Sequence, residues 1–160
     1  KLGGQSFVVC PLIEGSEVMD LKSAVTVFDS SQARFPEFNA CLIHGKLKKE
    51  ERQEVMSQFL SEEIQILVST TVIEVGIDIP NATVMIIEHA ERFGLAQLHQ
   101  LRGRVGRGQH GSHCLLISYL PISEEGTARM KAIQHSRDGF EIAEEDLKIR
   151  GPGDFMGTRQ

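Results

Sequence analysis

Short apolar runs recur along the chain, separated by stretches in which apolar residues return every three or four positions. The runs are Phe7-Val8-Val9-Cys10-Pro11-Leu12-Ile13, Ala40-Cys41-Leu42-Ile43-His44-Gly45, Ile64-Gln65-Ile66-Leu67-Val68-Ser69, Val84-Met85-Ile86-Ile87 and Cys114-Leu115-Leu116-Ile117-Ser118. Runs of this length without polar alternation predict strands covered on both faces. Between the first two, Ser16 is placed to cap a helix carrying Val18, Leu21, Val25 and Phe28 on one face, ending before Pro36. Between the second and third, Lys48 to Leu60 reads as a helix with Val55, Met56, Phe59 and Leu60 apolar. Strands alternating with helices predict an α/β fold: a mainly parallel sheet of about five strands, joined by right-handed crossovers, with helices on both faces. In such a sheet ligands belong at the carboxyl ends of the strands. The polar turns around Gly45, after Ser69 and after Ile87 lie there.

The pattern changes at Ser123. Glu124 and Glu125 suit a first helical turn, Met130 and Ile133 supply an apolar stripe to about Gln134, and Arg137-Asp138-Gly139 reads as a turn. Ile142, Leu147 and Ile149 predict a second helix, broken by Gly151-Pro152-Gly153. The expected organisation is a domain over 1–122 and a helical hairpin with a following loop over 123–160. The last residues run out with no terminating pattern, as expected of a piece of a longer chain.

Composition changes this picture little. The 160 residues suffice for one domain with a full core, and the apolar and charged fractions are those of a soluble globular protein, without Trp. A net charge of −5 argues against nonspecific polyanion binding by the whole surface and leaves a local basic face open. No apolar run approaches membrane-spanning length and the N-terminus lacks signal-peptide character, so a cytoplasmic setting is expected. Cys10, Cys41 and Cys114 are widely spaced in apolar runs and read as buried thiols rather than disulfides or metal ligands.

Charge matters locally. From Phe93 through Ser123 there is no Asp or Glu, while Arg102, Arg104 and Arg107 lie close together, interleaved with Gly103, Gly106 and Gly108, and Arg92 just precedes them. Guanidinium groups form two parallel hydrogen bonds to phosphate and stay protonated when desolvated, so the stretch 97–108 reads as an anion clamp. A solvated basic turn is the plain alternative.

Gln100-Leu101-Arg102-Gly103-Arg104-Val105-Gly106-Arg107 resembles the Q-x-x-G-R-x-G-R motif of superfamily-two helicases. The resemblance implies that Arg104 and Arg107 reach across a domain cleft to the γ-phosphate of ATP, with Gln100 beside the nucleotide. Ser69-Thr70-Thr71-Val72-Ile73-Glu74-Val75-Gly76-Ile77-Asp78 resembles a second motif of that superfamily. By that likeness Ser69 and Thr70 contact a nucleic-acid phosphate, and Gly76 and Asp78 lie near the nucleotide and couple the two sites. A turn glycine and a local cap are the structural alternative for the latter pair. His44-Gly45-Lys46 resembles a loop that approaches the nucleic-acid backbone, although a mixed-charge helix following a turn more often shows only a solvated face.

A nucleoside triphosphatase needs G-x-x-x-x-G-K-[ST] to cradle phosphates, and the sequence has none; Gly45-Lys46 is followed by Leu47 and preceded at the required position by Ala40. The resemblance is therefore to the second of two RecA-like motor domains. ATP and Mg²⁺ would be held mainly by the first, and the isolated chain is expected to be inactive.

The tail from Arg137 through Gly151-Pro152-Gly153-Asp154-Phe155 to Thr158-Arg159-Gln160 resembles the hairpin and translocation motif of the RecG family, with the transcription-repair coupling factor Mfd as the alternative. This implies a motor domain of an ATP-dependent double-stranded DNA translocase remodelling stalled forks and branched DNA. Its partners would be that DNA, an N-terminal RecA-like domain and a wedge domain of the same chain, and no membrane. Arg137, Arg150, Arg159 and Gln160 would couple closure to translocation. A nonenzymatic nucleic-acid-binding module is the rival of another class, and edge cover is the plain role for the hairpin.

Overall fold

The computed structural model describes residues 4–12, 17–70, 82–105 and 111–150. Five strands form one sheet in the order β2-β3-β1-β4-β5, every pair parallel. They are β1 (Gln5–Val9), β2 (Ala40–Ile43), β3 (Ile66–Ser69), β4 (Ala82–Ile87) and β5 (His113–Leu116). The helices are α1 (Glu17–Arg34), α2 (Lys49–Leu60), α3 (Leu95–Arg102), α4 (Glu124–His135) and α5 (Gly139–Arg150), with a 3₁₀ turn at Ala90–Arg92.

The crossovers explain which face each helix covers. The step from β1 to β2 runs one way along the sheet; the steps from β2 to β3 and from β4 to β5 run the other way. Right-handed connections then put α1 on one face and α2 and α3 on the opposite one. The core divides accordingly. Phe7, Val9, Leu67, Met85 and Ile87 point to the face holding Met56, Phe59, Leu95, Leu98, Leu101, Ile133 and Ile142. Val8, Cys10, Ile66 and Val68 point to α1, where Ala24, Val27 and Phe28 meet them. This is the period-two alternation of a doubly covered sheet.

The first strand begins earlier than its apolar run suggests, because the polar Gln5 belongs to it. Gln5 is buried, and its amide nitrogen donates to the carbonyls of Phe59 and Ile64, so its two N–H donors are compensated where α2 turns into β3, while its Oε1 is buried without a partner among the described residues. On α1 the inward side is carried by Ala24, Val27 and Phe28, whereas Val25 is exposed, so the expected stripe is rotated. Ser16 and Ile13 lie outside the described residues. Cys10 is buried, and Cys41 and Cys114 are partly exposed; all three thiols are free. No helix among the described residues is long and apolar enough to cross a membrane.

The hairpin expected from Ser123 onward forms as α4 and α5. The Ser123 hydroxyl accepts from the Gly126 amide at 3.0 Å, capping α4, and the Asp138 carboxylate accepts from Phe140 and Glu141, capping α5. Ile133 and Ile142 join the same buried cluster as α2 and α3, so a boundary drawn at 122/123 crosses a shared core.

Candidate nucleotide and nucleic-acid interface

The arginine segment is held by a helix that its glycines and charges conceal. α3 begins at Gly94, whose amide donates to the Gln97 side chain at 2.9 Å. It ends at Gly103, whose amide donates to the His99 carbonyl. Leu95, Leu98 and Leu101 are fully buried on one side, and Val105 beyond the helix is buried as well. That anchorage sorts the motif into separate directions. Gln100 is exposed and Arg104, four residues on, is half-buried in the turn whose amide donates to the Leu101 carbonyl. Gln100 thus lies away from the leucines, whereas Arg104, beyond the helix end, is partly enclosed, its Nε buried. Arg107 lies outside the described residues.

Arg102 departs from the anion clamp. One terminal nitrogen donates to the carbonyls of Ile133 at 2.8 Å and Ser136 at 2.7 Å, and the other meets His99 Nδ1 at 3.0 Å. The two carbonyls stand at the C-terminus of α4, which leaves its last acceptors without helical partners and carries partial negative charge. Arg102 thus fastens α3 to the hairpin. Burial lowers its pKa, the nearby Cys114 thiol opposes that, and Arg137 adds to the lowering; the guanidinium remains a cation at any ordinary pH.

The parallel sheet brings the other expected residues to one rim. Its ladder continues past the strands: Thr70 N–H donates to Ile43 O, Cys10 N–H to Ser69 O, Glu88 N–H to Val9 O, and Ile117 N–H to Ile87 O. His44, Gly45 and Lys46 form the turn after β2, with Gly45 and Lys46 exposed and open space around Gly45. Ser69 and Thr70 stand beside them at the end of β3, but both are buried, at 0% and 3% exposure. In this conformation their hydroxyls are not presented to solvent. Gly76 and Asp78, which would continue this rim, lie outside the described residues.

At the end of β4, Tyr119 donates to the Glu88 carboxylate at 2.8 Å and its ring lies 4.3 Å from the His89 ring. The hydrogen bond to Glu88 is the main reason the Tyr119 hydroxyl holds its proton more tightly than usual. Burial, then the Glu88 charge, pushes the Cys10 thiol up to about 12. Neither reads as an activated nucleophile.

Arg137 and Arg150 sit at opposite ends of α5. Arg150 pairs with Asp146 at 2.8 Å and reaches toward Gly94, at the start of α3. Arg137 is exposed in the turn between α4 and α5. Arg159 and Gln160 lie outside the described residues. One residue escaped the sequence reading: Arg129, on the inner side of α4, donates to the Glu91 carbonyl at 3.0 Å and so ties the hairpin to the loop after β4. Its signal was a cation one position before the apolar Met130, on the side of α4 that faces the sheet.

Residues 1–109 match the profile of the helicase conserved C-terminal domain, and residues 136–160 match the C-terminal part of domain 3 of the ATP-dependent DNA helicase RecG. The chain is 51% identical over 161 residues to the ATP-dependent DNA helicase RecG of Bacillus subtilis, covering 100% of the chain and 24% of that relative. It is 51% identical over 158 residues to RecG of Escherichia coli K12, covering 99% of the chain and 23% of that relative. The chain therefore spans about a quarter of the length of these relatives. Among solved structures, RecG bound to a three-way DNA junction superposes with a TM-score of 0.77 at 49% identity, covering 96% of this chain and 20% of that one. The C-terminal domain of the DEAD-box protein Dbp5 superposes with a TM-score of 0.59 at 20% identity, over 82% of this chain and 68% of that one, a likeness of fold alone. A five-stranded parallel sheet carrying the arginine segment on a leucine-anchored helix is thus matched by a family profile over 109 residues, and the chain belongs to the helicase conserved C-terminal domain family, resembling RecG along its whole length.

Proposed function

We propose that the chain is the second motor domain of a cytoplasmic ATP-dependent double-stranded DNA translocase that remodels branched DNA and stalled forks. The observation that carries this reading is the sorting of the α3 segment, with leucines into the core, Arg102 onto the hairpin, Gln100 exposed and Arg104 half-buried in the turn after the helix. An arginine held in the turn at the end of a core-anchored helix is suited to a phosphoryl group presented by another domain. The described residues fit only that half of a nucleotide site, since they offer cations and no cradle of glycine amides. ATP and Mg²⁺ would accordingly be held mainly by an N-terminal RecA-like domain of the same protein. When bound, ATP supplies a γ-phosphoryl group whose transfer spreads negative charge over its oxygens.

Gln100, Arg104 and Arg107 hold and orient at that end, while Gly76 and Asp78 link it to the nucleic-acid rim formed by His44, Gly45, Lys46, Ser69 and Thr70. Arg137, Arg150, Arg159 and Gln160 carry closure to the hairpin and to a wedge domain on the DNA. The RecG assignment is preferred to Mfd because of the identity along the whole chain and the match over residues 136–160. A nonenzymatic nucleic-acid-binding module is disfavoured by the same likeness to ATP-dependent helicases.

The test is steady-state kinetics on the full-length protein. Arg104→Ala should lower DNA-stimulated kcat at least about tenfold with a smaller change in ATP affinity, as an arginine that acts chiefly in the transition state requires. The 160-residue chain alone should hydrolyse no ATP above background. A normal kcat in Arg104→Ala refutes the role.

A further inference from the structure

A solvent-open cavity of about 1070 Å³ lies between the C-terminus of α3, the outer strand β5 and the turn joining α4 to α5. Its rim includes His99, Arg102, Ser112 and Arg137, and its floor includes Val105 and Ile133. Among the described residues no carboxylate lines it, in a chain whose net charge is −5. The acids nearest in sequence to Arg137 are engaged elsewhere: Asp138 accepts two amides of α5, and Glu141 accepts the Ser136 hydroxyl. Arg102 is fixed by its two carbonyls and by His99, so its guanidinium faces the cavity without freedom to swing away. Arg137 lines the same cavity as Arg102. Two cations on one cavity, with no carboxylate among its described lining residues, form a site suited to an anion.

We propose that this cavity binds a backbone phosphate of duplex DNA, with Arg102 as the fixed cation, Arg137 as the adjustable one and Ser112 as a further donor. The assignment rests on the motor-domain reading above. A phosphodiester fits better than a free anion because the site is open, as a polymer passing across it requires, and because the partly exposed Cys114 and Leu116 offer an apolar surface for deoxyribose. The hairpin then touches DNA at its turn, where the cation is, while its acidic second helix stays clear. Phosphate contacts of this kind set position on the duplex and carry no sequence information.

The test is fluorescence anisotropy of the full-length protein with a blunt duplex over a range of salt concentrations. Arg137→Glu should weaken binding about tenfold and reduce the salt slope by about one, and Arg137→Gln should weaken it about threefold. Lys22→Glu, on α1 across the sheet, controls for bulk charge and should change affinity by less than about twofold. Wild-type affinity and slope in Arg137→Glu overturn the proposal. So does an equal loss in Lys22→Glu. In a second arm, inorganic phosphate is titrated against the wild type and Arg137→Glu in nuclear magnetic resonance. Phosphate binding abolished by Arg137→Glu without change in duplex affinity makes a free anion the occupant and overturns the DNA assignment. If the wild type shows no DNA-stimulated ATP hydrolysis, the motor reading fails, and the anisotropy still decides the cavity on its own.

Discussion

The two faces of the sheet are built differently. On one, α1 is the only helix among the described residues that covers Val8, Cys10, Ile66 and Val68, and toward the far edge Leu115 remains half exposed. On the other, α2, α3, α4 and α5 share one cluster running from Phe59 through Leu98 and Leu101 to Ile133 and Ile142. The thin face closes a sheet. The thick face also joins the helix behind the arginine motif to the hairpin, so a shift of one moves the packing of the other. Discrete repacking of such shared cores is how small displacements at one site are carried to another.

The comparison breaks most readily at Leu98. Leu98→Ala should cost about 2–5 kcal/mol, as deletion of a fully buried leucine does, while Phe28→Ala on the thin face, already partly exposed, should cost less than half as much. Urea midpoints of the two variants check this, and equal losses would mean that the faces carry the fold alike. Next is Arg102→Met, which leaves the Ile133 and Ser136 carbonyls without their donor and should cost about 2 kcal/mol. Amide exchange should rise first across 124–150 and later in the sheet. A uniform rise would show that the hairpin opens only with the whole domain.

The smallest effect belongs to the thin face and sharpens the contrast. Cys10 has its pKa raised from 9.0 to about 12, chiefly by burial, so folding favours the neutral thiol. A raised folded pKa gives stability that is full below the unfolded value and is lost as pH climbs toward the folded one. Between pH 9 and 10 the wild type should therefore lose about 1 kcal/mol more than Cys10→Ala, measured by urea denaturation. Parallel losses in the two proteins would acquit the thiol.

Much of this was legible in sequence. Apolar runs marked all five strands because a sheet covered on both faces leaves little alternation to misread, and the acidic turn at Glu124-Glu125 and the turn at Arg137-Asp138-Gly139 marked the hairpin. The arginine motif was found by charge and glycine, and those same residues hid α3. Leu95, Leu98 and Leu101 recur every three residues and could have revealed it, but glycines at both ends and four cations nearby pointed to an anion clamp or a solvated basic turn. What residue order could not show was the division of labour among the arginines. Arg102 and Arg104 are two apart in one motif, yet only tertiary packing determines that Arg102 meets the last carbonyls of α4. Gln5 was missed for a related reason, since a polar residue is expected inside only once its partners, Phe59 and Ile64, are in place.

The strand order also has a consequence for how the chain is made. β1 is synthesised before the other four strands of its sheet and occupies the middle of it, with Val8 paired to Val68 on one side and to Ile86 on the other. Neither partner exists until some sixty to eighty further residues have been synthesised. Non-local parallel pairings of this kind delay folding, because a long loop must close before any contact compensates for it. Until then Phe7, Val8 and Val9 are an uncovered apolar strand, the kind of segment on which nascent chains associate. A chaperone that holds this protein during translation should therefore engage its first strand and release it when β4 arrives.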